Sequence, residues 1–184
     1  MMRIISGSKK GKKLLTLQGE NTRPTLERVK QAFFNAIQFD ISDRVVIDLF
    51  SGSGQLGLEA LSRGASFCYF NDISKQASEI IQKNIISCNF ERMSQLTCKS
   101  YIDCVRIISN KGKKASLVFL DPPYGQNLVN LSLAALKQYD VLSDDAIIIC
   151  ESACDDEIDC QGFELHKEYK YSQIKVTILK MKVE

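Results

Sequence analysis

The sequence predicts a three-layer α/β/α fold. A mostly parallel seven-stranded sheet is closed by a C-terminal antiparallel hairpin and preceded by a short N-terminal β-hairpin extension. Three observations carry this expectation. Short apolar runs at 45–49, 67–70, 117–120 and 146–150 have the length and composition of strands buried on both faces. Stretches of helical periodicity lie between them, so strand and helix alternate. The last segments, 164–171 and 174–182, read as a closing hairpin. A chain of 184 residues is one domain by length. We expect a basic hairpin extension over 1–24 and a core over 25–184.

The elements follow in order. Residues 3–7 and 13–17 read as two short strands around a lysine-rich loop. Asn21-Thr22-Arg23-Pro24 is a turn, and Thr25 is a candidate N-cap. Leu26, Val29, Phe33, Ala36 and Ile37 recur at helical spacing and leave Arg28 and Lys30 facing elsewhere. After the strand at 45–49, Leu56, Leu58, Ala60 and Leu61 fit a well-buried helix stopped at Gly64. A second strand, 67–70, ends at Asn71-Asp72, and Ser74 caps a helix over 75–88. A weak third strand, 95–98, precedes a helix over 101–108 and a basic loop, 111–114. The strand at 117–120 runs into two prolines, a helix spans 128–139, and a fifth strand covers 146–150. The acidic segment 154–160 reads as a loop.

The glycine turn after the first strand is the first candidate site. Glycines let backbone approach a ligand, and a helix N-terminus offers unpaired N–H groups. Gly52 to Gly57 also spells G-x-G-x-x-G. Asp48, four residues before the first glycine, would crowd a pyrophosphate, and the chain is short for a dinucleotide enzyme. No Gly-Lys-Ser/Thr follows, which excludes a P-loop. A carboxylate there suits a cationic ligand, and S-adenosylmethionine carries an ammonium and a sulfonium. Asp72 stands where an acidic side chain accepts ribose hydroxyls, though it also suits a helix cap.

Asp121-Pro122-Pro123-Tyr124 is the second. Consecutive prolines stop any helix and fix the backbone just past a strand. In a parallel sheet that edge is also where the glycine turn opens.

Hydrophobic content of 45% and charged content of 25% are ordinary for a globular domain. No apolar run is long enough for a membrane span and no signal segment leads the chain, so a cytoplasmic protein is expected. Seven cysteines without C-x-x-C fit reduced thiols, and their spacing with a single histidine matches no common metal site. Residues 1–30 carry eight basic against two acidic side chains, a surplus of six that leaves the remainder at minus four. A basic arm of Arg3, Lys9, Lys10, Lys12, Lys13, Arg23 and Arg28 suggests a polyanion approached from one end, with a solvated charged terminus as the plainer reading.

Arg3-Ile-Ile-Ser-Gly7, Arg23-Pro24-Thr25 with Arg28, Asp48-Leu-Phe-Ser-Gly-Ser-Gly54, Leu58-Glu-Ala-Leu-Ser-Arg-Gly-Ala65 and Phe119-Leu-Asp-Pro-Pro-Tyr124 together resemble the RsmD family. That family methylates guanine N2 in bacterial 16S ribosomal RNA. The resemblance runs from Arg3 to about Gly125. It implies a Rossmann-like methyltransferase fold, S-adenosyl-L-methionine as cofactor, and 16S ribosomal RNA or a small-subunit assembly intermediate as partner of a monomer. It implies a donor site of Asp48, Phe50, Ser51, Gly52, Ser53, Gly54, Asp72, Ile73 and Asp121. Ser100 or Tyr101 stands where family members commonly have Asp or Asn near the adenine. Asp121, Pro122 and Tyr124 would act on the amine, while the basic arm and Thr25 would meet RNA.

The chemistry stands beside the resemblance. An exocyclic amine is a poor nucleophile because its lone pair is delocalised into the ring. Asp121 and the Pro122 carbonyl can each accept one amine N–H and turn that lone pair toward the methyl. Tyr124 can stack on a flipped base. Whether Asp121 takes the final proton or only orients the amine stays open. So do three alternatives: a DNA adenine-N6 methyltransferase, a protein-glutamine N-methyltransferase, and a non-catalytic RNA-binding or assembly protein.

Overall fold

The apolar runs become strands because their side chains alternate between two covered faces. Residues 2–17 and 24–182 are described by a computed structural model. The strands are β1 (Val45–Asp48), β2 (Phe67–Asn71), β3 (Ser94–Thr97), β4 (Ala115–Leu120), β5 (Leu142–Ala153), β6 (Phe163–Tyr171) and β7 (Ile174–Met181). The helices are α1 (Pro24–Ala36), α2 (Gln55–Ser62), α3 (Lys75–Ser87), α4 (Tyr101–Asn110) and α5 (Leu128–Gln138). One sheet holds all seven strands in the order β3-β2-β1-β4-β5-β7-β6. β1 to β5 run parallel, and β7 and β6 close the edge antiparallel.

On one face Val46, Phe70, Phe119, Ile147 and Ile149 pack with Phe33 and Phe34 of α1, Leu58 of α2 and Ile81 of α3. On the other, Ile47, Val118, Leu120, Ile148 and Cys150 pack with Val105 of α4 and Leu133 of α5. The Phe34 and Phe119 rings lie 5.5 Å apart, which fastens α1 over the centre of the sheet. Each fully buried aromatic contributes roughly 1.5–3 kcal/mol of transfer free energy. This alternation also sets the functional edge. Asp48 ends β1, Asp121 follows β4 and Glu151 lies near the end of β5, at positions of the same parity as Val46, Phe119 and Ile149. All three carboxyls therefore belong to the α1 side.

The N-terminus departs from expectation. In place of two strands there is one antiparallel bridge, Arg3 with Lys13, and a 3-10 turn over Gly7–Lys9. The hairpin survives through Ile4 N–H to Lys12 O and Leu14 N–H to Met2 O. Its alternating residues Met2, Ile4 and Leu14 sink into the α1–α3 core, so the segment is docked by burial and joins no sheet. Backbone contact is close: a Cβ on Gly7 would stand 1.8 Å from the Ser62 carbonyl oxygen, and its φ is +81°. Glu59, 1% exposed, accepts the Ile5 and Ser6 N–H groups at 2.7 and 3.0 Å and pairs with Arg63. Buried Asn84 accepts from Leu15 N and donates to Leu15 O and Ser53 O.

Pro24 takes the first helical position of α1, so Thr25 lies within the helix and is no N-cap. Arg23 and the Thr25 side chain lie outside what is described. All seven cysteines are free, and among the described residues no helix is long and apolar enough to cross a membrane.

Candidate active site

The crevice opens where the strand order reverses, between β1 and β4. Asp48 and Phe119 are register partners, and Leu49 N–H reaches Phe119 O at 3.2 Å. Just beyond, β1 turns toward α2 and β4 runs into Asp121-Pro122-Pro123-Tyr124. The glycine turn and the proline turn thus occupy one end of two neighbouring strands, as the sequence predicts.

Polar groups brace the first turn. Ser51 Oγ donates to Asp48 O at 2.7 Å, and Ser51 N–H reaches Asn71 O at 2.8 Å. Gly54, at φ +80°, caps α2. Ser53 is buried, its hydroxyl 3.0 Å from the Met2 sulfur. Asp48, 1% exposed, accepts the Gly57 N–H at 2.9 Å. Burial pushes its carboxyl up to about 7, against the lowering pull of the Gly57 N–H, with the Asp121 charge raising it further and Lys30 lowering it. Asp48 therefore anchors the start of α2.

Asp72 accepts Gly52 N–H and Ser74 N–H, both at 2.9 Å, so the ribose acceptor of the sequence reading also ties both turns together. Asn71, beside it, is buried and bridges Leu49 O and Lys99 O, while Thr97 donates to its side-chain oxygen at 2.8 Å. Ile73 is 78% exposed at the rim. Phe50 and Tyr101 face each other with ring centroids 6.3 Å apart. Ser100 donates to Asp103 Oδ2 at 2.8 Å and accepts the Asp103 N–H, so its hydroxyl is used to cap α4.

At the second turn Pro122 is buried, Asp121 is partly buried and Tyr124 is 46% exposed. The Tyr124 hydroxyl donates to Glu151 Oε1 at 2.9 Å. A pocket of about 240 Å³ lies here, lined by Pro122, Tyr124, Leu128, Glu151 and Ile158 among others. Burial raises both the Asp121 and Glu151 carboxyls, and Lys30 opposes the rise in each. Arg3, Lys10, Lys12 and Lys13 are exposed around the N-terminal bridge. Lys9 lies with its ammonium 5.7 Å from the Phe90 ring centroid, and Arg28 is exposed on α1.

The sequence reading missed Glu151 and Lys30. Glu151 carries a signal: like Asp48 and Asp121 it is an acid at the end of an apolar run. Lys30 reads as surface charge, yet its ammonium donates to Gln55 Oε1 at 3.1 Å and lies within electrostatic range of all three carboxyls.

A switch-point crevice with a carboxylate-braced glycine turn on one strand and a proline-fixed acceptor turn on the next defines an S-adenosylmethionine-dependent methyltransferase of the Rossmann-like class. A solved structure of yhhF from Escherichia coli is similar throughout: TM-score 0.86, 28% identity, covering 100% of this chain and 99% of that one. The chain belongs to the family described as conserved hypothetical protein 95, whose model matches residues 2–180. This bears out the RsmD resemblance. Ribosomal RNA small subunit methyltransferase D of Haemophilus influenzae is 35% identical over 84% of this chain and 80% of its own. The protein of the same name from Escherichia coli is 30% identical over 94% and 86%.

Proposed function

We propose that this protein transfers a methyl group from S-adenosylmethionine to the exocyclic N2 of a guanine in 16S ribosomal RNA, as a cytoplasmic monomer. One observation supports this most: the methyl-donor turn and the Asp121–Tyr124 acceptor turn end adjacent strands β1 and β4. A donor held at the first has its methyl directed toward an amine held at the second, and such positioning supplies much of the catalysis. The relatives' names direct the reading to ribosomal RNA, and the exposed lysines of the arm fit a phosphate backbone.

In this reading Asp48, Phe50, Ser51, Gly52, Ser53, Gly54, Asp72, Ile73, Ser100 and Tyr101 surround the donor. Asp48 meets its cationic end. Asp72 offers its remaining lone pairs to the ribose, and Ile73 with the Phe50–Tyr101 pair flanks the adenine. Asp121 and the Pro122 carbonyl accept the amine N–H groups, and Tyr124 stacks on the extruded base. Arg3, Lys9, Lys10, Lys12, Lys13, Arg23, Thr25 and Arg28 dock the RNA.

Incubation with labelled donor and, separately, small ribosomal subunits, naked 16S RNA, duplex DNA or release factor tests the assignment. N2-methylguanosine in the RNA digest is the expected product. Label in adenine or glutamine, or in nothing, overturns it.

The raised Asp48 carboxyl gives a pH signature. A cationic ligand favours its ionised form, so binding releases a proton and affinity falls as pH drops below about 7. S-adenosylmethionine should bind roughly 10-fold more weakly at pH 6 than at pH 8. Stability runs the other way: with the folded pKa above the unfolded one, this group's contribution is complete below pH 3.8 and is lost as pH rises through about 7. Asp48→Asn keeps an acceptor for the Gly57 N–H, so it should raise the melting temperature at pH 8 while flattening the affinity profile. Calorimetry showing equal wild-type affinity at both pH values would count against Asp48 as the cation's partner.

Reversing Lys9, Lys10, Lys12 and Lys13 to glutamate should weaken RNA binding and flatten its salt dependence, with a slope loss of about 0.7–0.9 per phosphate contact removed. A slope that does not change would take the arm out of RNA docking.

A further inference from the structure

We infer that Glu151 is a positioning residue for methyl transfer: in its protonated form it donates to Asp121 while accepting from Tyr124, and so holds both against the substrate base. The inference deepens the proposed function and rests on it.

Geometry brings the three together. Leu120 and Cys150 are register partners on parallel β4 and β5, so Asp121, just past β4, and Glu151, near the end of β5, stand side by side. Both belong to the α1 side by parity with Phe119 and Ile149. Their carboxyls are near enough to act on each other's protonation. Two carboxyls bond to each other only while one of them carries a proton. Glu151 is 6% exposed against the partly buried Asp121, and the Tyr124 hydroxyl already donates to its Oε1. The buried partner is the costlier one to ionise, so the shared proton belongs to Glu151. This agrees with the effects in the pair: the Asp121 charge raises Glu151, while Glu151 lowers Asp121.

Other charges face this pair. Lys30 comes from α1, Asp48 lies beside Asp121 on β1, and Asp156 from the segment after β5 acts on Tyr124. Lys175 on β7 is directed to the Asp156 carbonyl oxygen and leaves the pair to itself. Lys30 is thus the cation that permits a single negative charge on two carboxyls.

During transfer the N2 lone pair forms the new N–C bond as the S–C bond breaks, and its electron pair stays on sulfur. The amine then sheds one proton. With Glu151 protonated, one Asp121 oxygen is occupied and the other is free to accept that proton. The pair holds one proton before the step and two after it, and releases the second to solvent. Loss of the Glu151 proton beforehand sets two carboxylates in contact, and repulsion turns Asp121 and Tyr124 away from the base.

Two arms test this. Single-turnover kcat on small ribosomal subunits is followed from pH 6 to 9 for the wild-type chain, Glu151→Ala and Glu151→Gln, with S-adenosylhomocysteine affinity measured alongside. Glu151→Ala should lower kcat about 10–100-fold with donor affinity within a few-fold. Glu151→Gln, whose amide mimics the protonated acid, should recover most of that loss at pH 6.5 and lack the alkaline limb of the wild-type profile. A glutamine variant as slow as the alanine one, or one retaining the wild-type limb, overturns the inference. The second arm follows 13C carboxyl shifts of glutamate-labelled wild-type protein and needs no stable variant beyond the one used for assignment. Glu151 should titrate well above an ordinary glutamate, and an ordinary titration overturns the inference. If no substrate is methylated the functional reading fails, while the carboxyl titration still reports on the pair.

Discussion

Asp121→Ala lowers turnover by about 10²–10⁴-fold while S-adenosylhomocysteine affinity changes little. In the proposed reaction the variant loses the side chain that accepts an amine N–H beside the Pro122 carbonyl, and with it any route for the amine proton through this carboxylate. It also removes the charge that raises both the Asp48 and the Glu151 carboxyls, so its melting temperature at pH 8 should not fall. That combination, a slow but firmly folded enzyme that still binds the spent donor, separates a chemical role from a structural one. Quantifying the methylated nucleoside in a single turnover gives the measurement. A rate within a few-fold of wild type would remove Asp121 from the mechanism.

Gly57→Ala should cost stability despite alanine's helical advantage. A Cβ there would stand 2.3 Å from Phe70 Cε1 and 2.6 Å from Cys68 Sγ, and both residues are 0% exposed with no room to retreat. Alanine gains up to about 1 kcal/mol over glycine inside a helix, but overpacking a core costs about 1–3 kcal/mol and sometimes more. Relief requires α2 to lift from β2. Lifting breaks the Gly57 N–H bond to Asp48, so donor affinity should fall together with the denaturant midpoint. A midpoint at or above wild type would show that the helix has slack the geometry denies it. The third glycine of the G-x-G-x-x-G pattern thus serves helix–strand contact, a role that does not depend on which nucleotide is bound.

The parallel core was legible because apolar runs buried on both faces and proline or glycine stops are local signals. The strands near 45, 67, 117 and 146 needed nothing from the rest of the chain. β5 is longer than its apolar run, since Leu142–Ala153 gains its ends by pairing with β4 and with the antiparallel β7. Residues 3–7 mimic a strand because Met2, Ile4 and Leu14 are buried in alternation, but their partners are helices and only tertiary packing reveals that. In the site, Asp48 and Asp121 were legible from their place at strand ends. Glu151 obeys the same rule and was overlooked because no glycine or proline follows it. Lys30 was hidden for another reason: periodicity tells which helix face is polar, but not that this face overlooks a cluster of acids. Glu59 is a lone acid in a helix buried along its length, and its partners come from the distant N-terminal segment.

The way Glu59 grips Ile5 and Ser6 bears on how the arm can be dissected. Trimming the first dozen residues would strip two donors from a carboxylate sealed inside the protein and unseat the helix that begins at the glycine turn. A shortened chain would then lose activity whether or not its lysines ever touched RNA. Side-chain exchanges at the tip leave that internal clasp intact, and only they can tell a lost foothold on the ribosome from a sprung hinge in the enzyme.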